Sequence, residues 1–248
     1  IDLYQIVKPT KSKFKLNNKI FYCDLSVDHL EGKLNNLHFD YIIHLASIAH
    51  SKDSKSIFKI NLEITNNLIK SIDKFSNFIF FSSISVYGEC KYKYPVLTSE
   101  KCIPSTYYGK SKLCDEKRLM KIIKNLYILR LCPMISGNSK DLKKRIFLPG
   151  TSIKYKSPYK REYSFSTHES IWVVIKKILK KQINPNIINV SDGIFYNQED
   201  ILKKIEGRTF VFPRSILDFT FKILDLLSFI DYFYKIKCLF WKMFRNNT

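Results

Sequence analysis

The sequence predicts an α/β protein: a doubly wound parallel sheet followed by a small C-terminal α/β lobe. Three observations predict it. Over the first 135 residues short apolar runs alternate with stretches of helical periodicity, the pattern of repeated strand–helix–strand units. The run Tyr-Ile-Ile-His-Leu-Ala at 41–46 is apolar without alternation, as a strand buried on both faces would be. And 45% of the 248 residues are hydrophobic, which suits one large domain or one domain with an appended lobe.

The elements follow in order. Residues 2–7 read as a strand, ended by the Pro9-Thr10-Lys11-Ser12 loop. Residues 19–23 form a second strand, closed by Asp24 and Leu25. The third is 41–46, with a helix over 57–75 behind it. A fourth strand covers 78–82, a helix 107–125, and a fifth strand 127–131. These elements make one unit over residues 1–135. Residues 136–170 are loop-rich, with turn pairs at Pro149-Gly150 and Ser157-Pro158. A helix over 171–181, a strand over 187–190 and a helix over 198–205 then complete a second unit over 136–248. Its last stretch, 215–244, is aromatic and amphipathic. Asp218, Lys222, Asp225 and Asp231 interrupt it, so it holds no 18-residue apolar run and does not read as a membrane span. A pair of helices packed on the lobe is the plain expectation; peripheral membrane contact through aromatic and lysine side chains is the sharper one.

Lys and Arg number 42 against 22 Asp and Glu, a net charge of +20. The lysines are spread through every segment, and Lys, Ile, Asn, Phe and Tyr are all high while Gly, at 7, is scarce. That is a drift of the whole chain rather than a built patch, and it argues against nucleic-acid binding. A cationic surface suits a doubly anionic substrate. The six cysteines (23, 90, 102, 114, 132 and 238) form no Cys-x-x-Cys pair, which speaks against zinc and redox sites; no metal is expected. With no signal-peptide pattern visible at the start, a reduced, cytoplasmic setting is the expectation.

The chemistry lies in two strings, Phe81-Ser82-Ser83-Ile84-Ser85-Val86-Tyr87-Gly88 and Pro104-Ser105-Thr106-Tyr107-Tyr108-Gly109-Lys110-Ser111-Lys112. Tyr108 and Lys112 stand four apart on one helical face. A phenol, with a pKa of about 10, is a poor base at neutral pH, and a neighbouring ammonium stabilises its phenolate. Ser83, 25 residues before Tyr108 at the end of an apolar strand, can bond the substrate oxygen whose charge changes. A bare Tyr-x-x-x-Lys is a weak signal in a chain rich in both residues. The combination of Ser-Ser-x-x-Val-Tyr-Gly, Pro-x-x-x-Tyr-Gly-x-Ser-Lys and Glu116 four residues beyond Lys112 is far more specific.

These strings resemble the extended short-chain dehydrogenase/reductases, and more narrowly the NAD-dependent epimerase/dehydratase family acting on nucleotide sugars. The resemblance runs to about residue 210 and implies a Rossmann-type domain with a substrate-binding lobe. It implies NAD or NADP as cofactor, a nucleotide-sugar substrate, and a homodimer formed through helices near the catalytic one. Tyr108 would be the general acid/base, Lys112 its activator, and Ser83 the polarising hydroxyl. Ser85 and Arg161 would join Ser83 on the substrate. The cofactor would meet Asp24, Leu25, Leu45, Ala46, Ser47, Asn61, Ser82, Tyr108, Lys112 and Pro133. Lys8, at the end of the first strand, leans toward the extra phosphate of NADP. His44 reads as a packed histidine, and His168 has no assigned role.

The chain also departs from the family pattern. The family's first strand and its Gly-x-x-Gly-x-x-Gly loop, which holds the cofactor pyrophosphate, have no counterpart here. Residues 2–7 align with the family's second strand, so the expected sheet has a gap where its first strand belongs. A partial chain is the favoured expectation, with a decayed gene or a rebuilt phosphate site as alternatives. Ser136 and Asn138 flank Gly137 where the family has Tyr and Pro, and the aspartate usual after the Arg161 motif is absent. Ile84 and Ser85 follow the catalytic serine where dehydratases often carry acids, and Glu89 lies too far along to replace them. The function expected is therefore epimerisation or 4-keto reduction in the making of glycan precursors; the alternative is a relic of the fold unable to hold a dinucleotide.

Overall fold

The computed structural model describes residues 4–7, 19–27, 37–51, 53–72, 76–88, 96–135, 146–148 and 151–240. The first two strands, β1 (Tyr4–Val7) and β2 (Lys19–Tyr22), form a parallel pair with Tyr4 opposite Lys19. β3 (Tyr41–His44) leads through helix α1 (Ser54–Lys70) to β4 (Asn77–Ser83). Helix α2 (Tyr107–Ile122) then leads to β5 (Leu126–Leu131). Helix crossovers of this kind set successive strands parallel.

The C-terminal part begins with β6 (Lys154–Lys156) and β7 (Glu162–Tyr163), followed by α3 (His168–Leu179), β8 (Ile187–Val190) and β9 (Tyr196–Asn197). It closes with α4 (Gln198–Lys203), β10 (Thr209–Val211), α5 (Arg214–Leu226) and α6 (Asp231–Phe240). The main sheet is parallel throughout, in the order β3-β4-β5-β8, so its fourth strand comes from beyond residue 136. β6 pairs in parallel with β10, and β7 antiparallel with β9.

β4 shows why the run Phe78–Phe81 is unbroken by polar residues. Phe78 and Phe80 point to one face, where α1 and α2 cover them with Ile64, Leu68 and Leu119. Ile79 and Phe81 point to the other, where α3 covers them with Ile171, Ile175 and Ile178. Both faces are buried, so both sets of alternating positions are apolar. Smaller apolar clusters hold the lobe, one around Tyr163, Phe165 and Ile201, another around Tyr155, Leu217 and Phe221.

Local capping explains where the helices begin. α1 starts at Ser54, earlier than its apolar periodicity suggests, because Asp53 caps it through the Lys55 amide. α3 starts at His168 because Thr167 and Ser170 form a reciprocal capping box. The stretch read as loop contains β6 and β7.

One expectation is corrected. The third strand ends at His44 rather than Ala46, and it is not buried on both faces: Ile43 is 39% and Leu45 59% exposed. The cause is its position. Among the described residues β3 has β4 as its ladder partner and none on its other edge, and no ladder joins it to the β1–β2 pair. The α/β class and the parallel doubly wound sheet stand as expected. Lys8, Glu89, Cys90, the 136–138 turn and Pro149-Gly150 lie outside the described residues.

Candidate active site

The site forms where β4 ends against the start of α2. Ser83 is the last residue of β4; its hydroxyl caps the short 3-10 turn Ile84–Val86 by accepting from the Ser85 amide, and it donates to Ser85 Oγ at 3.1 Å. Thr106 caps α2 by accepting from the Gly109 amide at 3.0 Å. Gly109 lets the helix lie against that turn, since a Cβ there would collide with the Ser85 carbonyl oxygen and meet Pro104. Gly88 has φ of +84° and faces the Ile103 carbonyl oxygen, a position only glycine fits.

This close approach brings the Tyr108 hydroxyl within hydrogen-bond reach of both Ser83 and Ser47, while burial pushes the phenol above its usual pKa. Lys112 is buried on the same helix. Its Nζ donates to the Phe81 carbonyl oxygen at 2.7 Å, lies 4.8 Å from the Phe80 ring centre and 5.8 Å from that of Tyr108. Burial pulls the ammonium down to about 8, against the charges of Asp115 and Glu116. The backbone oxygen thus holds the ammonium just beneath the tyrosine.

Three buried sets of polar groups support this arrangement. Asn61 accepts from the Ile48 amide and donates to the Ile48 carbonyl and to Ser111 Oγ, which itself donates to the Tyr108 carbonyl. Asn61 therefore ties the loop after β3 to the first turn of α2. Thr65 Oγ1 donates to Asp115 Oδ2 at 2.9 Å and pairs with His44 Nε2 at 3.1 Å. A hydroxyl has one proton, so His44 Nε2 is the donor there. Burial holds His44 down to about 3 and lifts Asp115 to about 6.

In the third set, Arg130 grips Glu116 with Nε at 3.0 Å and Nη2 at 2.7 Å. Ser82 Oγ donates to the same carboxylate. Arg130 Nη1 reaches the Tyr87 hydroxyl, which donates to Asn189 on β8.

A cavity of about 410 Å³ opens above these groups. Leu45, Ser47, Phe81, Ser82, Tyr108 and Lys112 form one wall. Leu131, Met134, His168, Ile171, Trp172 and Ile175 form the other. Mostly apolar walls with convergent hydroxyl and ammonium groups fit a flat, weakly polar ring such as nicotinamide. No glycine-rich phosphate loop stands among the described residues.

Of the residues expected at the site, Ser47, Leu45, Ser82, Tyr108 and Lys112 line the cavity, and Ser83 lies within hydrogen-bond reach of Tyr108. Ser85 lies beside Ser83, and Asn61 lies behind the wall. Ala46 is exposed and Pro133 half-buried, neither in the lining. Asp24 closes its own turn, accepting from the Ser26 amide and hydroxyl, and Leu25 is packed in the core. Arg161 is buried, its guanidinium 5.0 Å from the Tyr163 ring centre, outside the cavity lining. Sequence reasoning missed the α3 wall. His168 was noted without a role, and Trp172 carries no local signal beyond its place in an amphipathic helix.

With this geometry in hand, the chain matches the NAD dependent epimerase/dehydratase family over residues 3–156, and it belongs to that family. No curated protein sequence matches it. Solved structures show the same fold. A UDP-N-acetylglucosamine 4-epimerase from Bacillus cereus is 21% identical with a TM-score of 0.63, covering 84% of this chain and 78% of its own. A hypothetical dTDP-4-dehydrorhamnose reductase from Sulfolobus tokodaii is 20% identical with a TM-score of 0.62, over 84% and 76%. The Bordetella bronchiseptica enzyme WbmG, in complex with NAD and UDP, is 15% identical with a TM-score of 0.64, over 86% and 75%.

Proposed function

We propose that the chain is an NAD(P)-dependent nucleotide-sugar epimerase or 4-keto reductase serving glycan-precursor synthesis. The observation that carries the reading is the Tyr108 hydroxyl within hydrogen-bond reach of Ser83 and close to a buried Lys112, at the wall of an apolar cavity. Leu45, Ser47, Ser82 and Lys112 would hold the nicotinamide end of the dinucleotide, which when bound supplies hydride acceptance and return. Ser83 donates a hydrogen bond to the sugar oxygen, and Tyr108 Oη takes the hydroxyl proton or gives it back. Lys112 keeps positive charge beside the tyrosine while the phenolate exists, which offsets the burial that otherwise disfavours it. The similar solved structures include a UDP-N-acetylglucosamine 4-epimerase and a hypothetical dTDP-4-dehydrorhamnose reductase, so UDP- and dTDP-sugars are the substrates to try. A reduced, cytoplasmic setting goes with this reading.

A second reading, a catalytically silent form of the fold, is favoured by one observation: the Lys112 ammonium is bonded to the Phe81 carbonyl rather than to a tyrosine oxygen. One experiment separates the two. NADH and NADPH are titrated by fluorescence, and turnover of UDP- and dTDP-sugars is compared for the wild type and Tyr108→Phe. The enzyme reading expects cofactor binding and a loss of about 10²–10⁴-fold in turnover. A wild type that binds neither cofactor, or a variant that turns over unchanged, sinks it.

A further inference from the structure

The Lys112 ammonium is 2% exposed, and its Nζ donates to a neutral group, the Phe81 carbonyl oxygen. A buried cation needs a counter-charge close by, or it gives up its proton. Two carboxylates of the same helix are buried with it, Asp115 at 1% and Glu116 at 0% exposed. Glu116 is committed elsewhere: Arg130 grips both its oxygens, and Ser82 donates to one of them. The anion that remains for Lys112 is Asp115.

The setting of Asp115 fits that part. It stands three residues beyond Lys112, on the same side of α2. Thr65 Oγ1 donates to its Oδ2 at 2.9 Å, and His44 Nε2 donates to Thr65 in turn, so α1 and β3 together hold the carboxyl in place. Its Oδ1 is buried with no hydrogen-bond partner among the described residues. Such an acceptor costs stability unless a nearby cation offsets it. Arg118 Nη1 comes to 3.5 Å of Oδ1, but that guanidinium is 30% exposed, is screened by water and also donates to Asn66. The charged and titratable groups that face Asp115 are thus Lys112 and Arg118 from its own helix and, behind the Thr65 hydroxyl of α1, His44 of β3, which burial keeps uncharged. Arg130 of β5 faces Glu116 instead.

We propose that Asp115 is the counter-charge of Lys112 and a positioning residue of the site, acting through the ammonium to keep it cationic beside Tyr108. The proposal rests on the enzyme reading above, in which the Lys112 charge stabilises the Tyr108 phenolate. The titration of Lys112 runs the same way: burial pulls it down, and Asp115 and Glu116 oppose the pull. With asparagine at 115 burial is less opposed, so Lys112 loses its proton at lower pH. Turnover, which needs the ammonium, then fails at lower pH as well.

The test follows the Lys112 side chain by NMR in the full chain with isotope-labelled lysine, from about pH 6 to about pH 10. Lys112→Arg identifies the signal by its loss. Asp115→Asn is expected to lower the Lys112 midpoint by about one pH unit and to move the alkaline limb of kcat down with it. Arg118→Gln removes a charge that faces the same carboxylate from a half-exposed position, and it should not lower the midpoint. Circular dichroism checks folding, and Asp115→Ser, smaller and still able to accept from Thr65, takes the place of an asparagine variant that does not fold. A midpoint that stays in place without the carboxylate overturns the proposal, as does an equal fall in Arg118→Gln. A lowered midpoint with an unmoved limb of kcat also overturns it, because the charge would then not reach Tyr108. The NMR titration needs no substrate. A wild type without turnover therefore sinks the enzyme reading, while the midpoint still decides whether Asp115 balances Lys112.

Discussion

Replacing Asp115 with asparagine separates two buried protonation equilibria that oppose each other in the wild-type chain. His44 is held neutral by burial, its pKa pulled from 6.5 to about 3. Between those values the unfolded imidazole takes up a proton that the folded one refuses, so acid removes roughly 1.4 kcal/mol of stability per pH unit. Asp115 behaves in the opposite sense. Burial lifts its carboxyl from 3.8 to about 6, so as the pH falls through that window the folded state takes up the proton first. Stability is gained at the same rate, about 3 kcal/mol over the window. From about pH 6 to about pH 4 the two contributions cancel.

Asparagine keeps the shape of Asp115 and still accepts from Thr65, but it does not titrate. The stability of the wild type minus that of Asp115→Asn should therefore grow by about 3 kcal/mol between about pH 7 and about pH 4. Urea unfolding followed by tryptophan fluorescence at half-unit pH steps measures it. Groups remote from Asp115 drop out of the difference; Lys112, whose ammonium that carboxylate supports, is the neighbour that does not. Two stability curves that run parallel through the window would refute the reasoning, because the carboxyl would then titrate alike in the folded and unfolded chains.

Other predictions concern the scaffold of the site. Glu116→Ala leaves the Arg130 guanidinium buried without its carboxylate and should cost about 3–5 kcal/mol in urea unfolding, with much of that recovered in Glu116→Ala/Arg130→Met. A loss below about 1 kcal/mol would mean that water replaces the carboxylate. Gly109→Ala pushes a methyl group onto the Ser85 carbonyl oxygen and should lower both Tm and turnover, by about 1–3 kcal/mol in stability; unchanged melting would show that the turn yields. Thr106→Ala removes the cap of α2 and should cost about 1 kcal/mol with the fold intact, read from the urea midpoint.

How far the sequence revealed the structure depended on how local the cause was. The apolar run of β4 and the Ser83, Tyr108 and Lys112 strings were legible because strand period, helix spacing and the cap at Thr106 act over a few residues. β3 was misjudged because an apolar run records what a strand can bury, while its exposure depends on which neighbours pair with it. The β6–β10 pair was not legible: three-residue strands more than fifty positions apart leave no periodic trace. The far wall of the cavity was hidden for a related reason. Periodicity marks Ile171 and Ile175 as an inward face, but only the path of the chain brings that face opposite Tyr108. Asp24 has a local role at its strand end, closing a turn by accepting from the Ser26 amide and hydroxyl. For α5 the sequence shows apolar residues on several faces and cannot choose which is turned inward.

The linked set Ser82, Glu116, Arg130, Tyr87 and Asn189 draws on β4, α2, β5, the turn after β4 and β8. In a chain whose composition has drifted so far toward lysine, isoleucine and asparagine, these positions can drift only together. Arginine-to-lysine exchange, the easiest step for such a chain elsewhere, would here replace a planar fork by a point charge and release one carboxylate oxygen and the Tyr87 hydroxyl at once. Any substitution that survives at one of the five should therefore carry a companion at another. In laboratory libraries built on this chain, pairs drawn from the set should outlive the single changes that compose them.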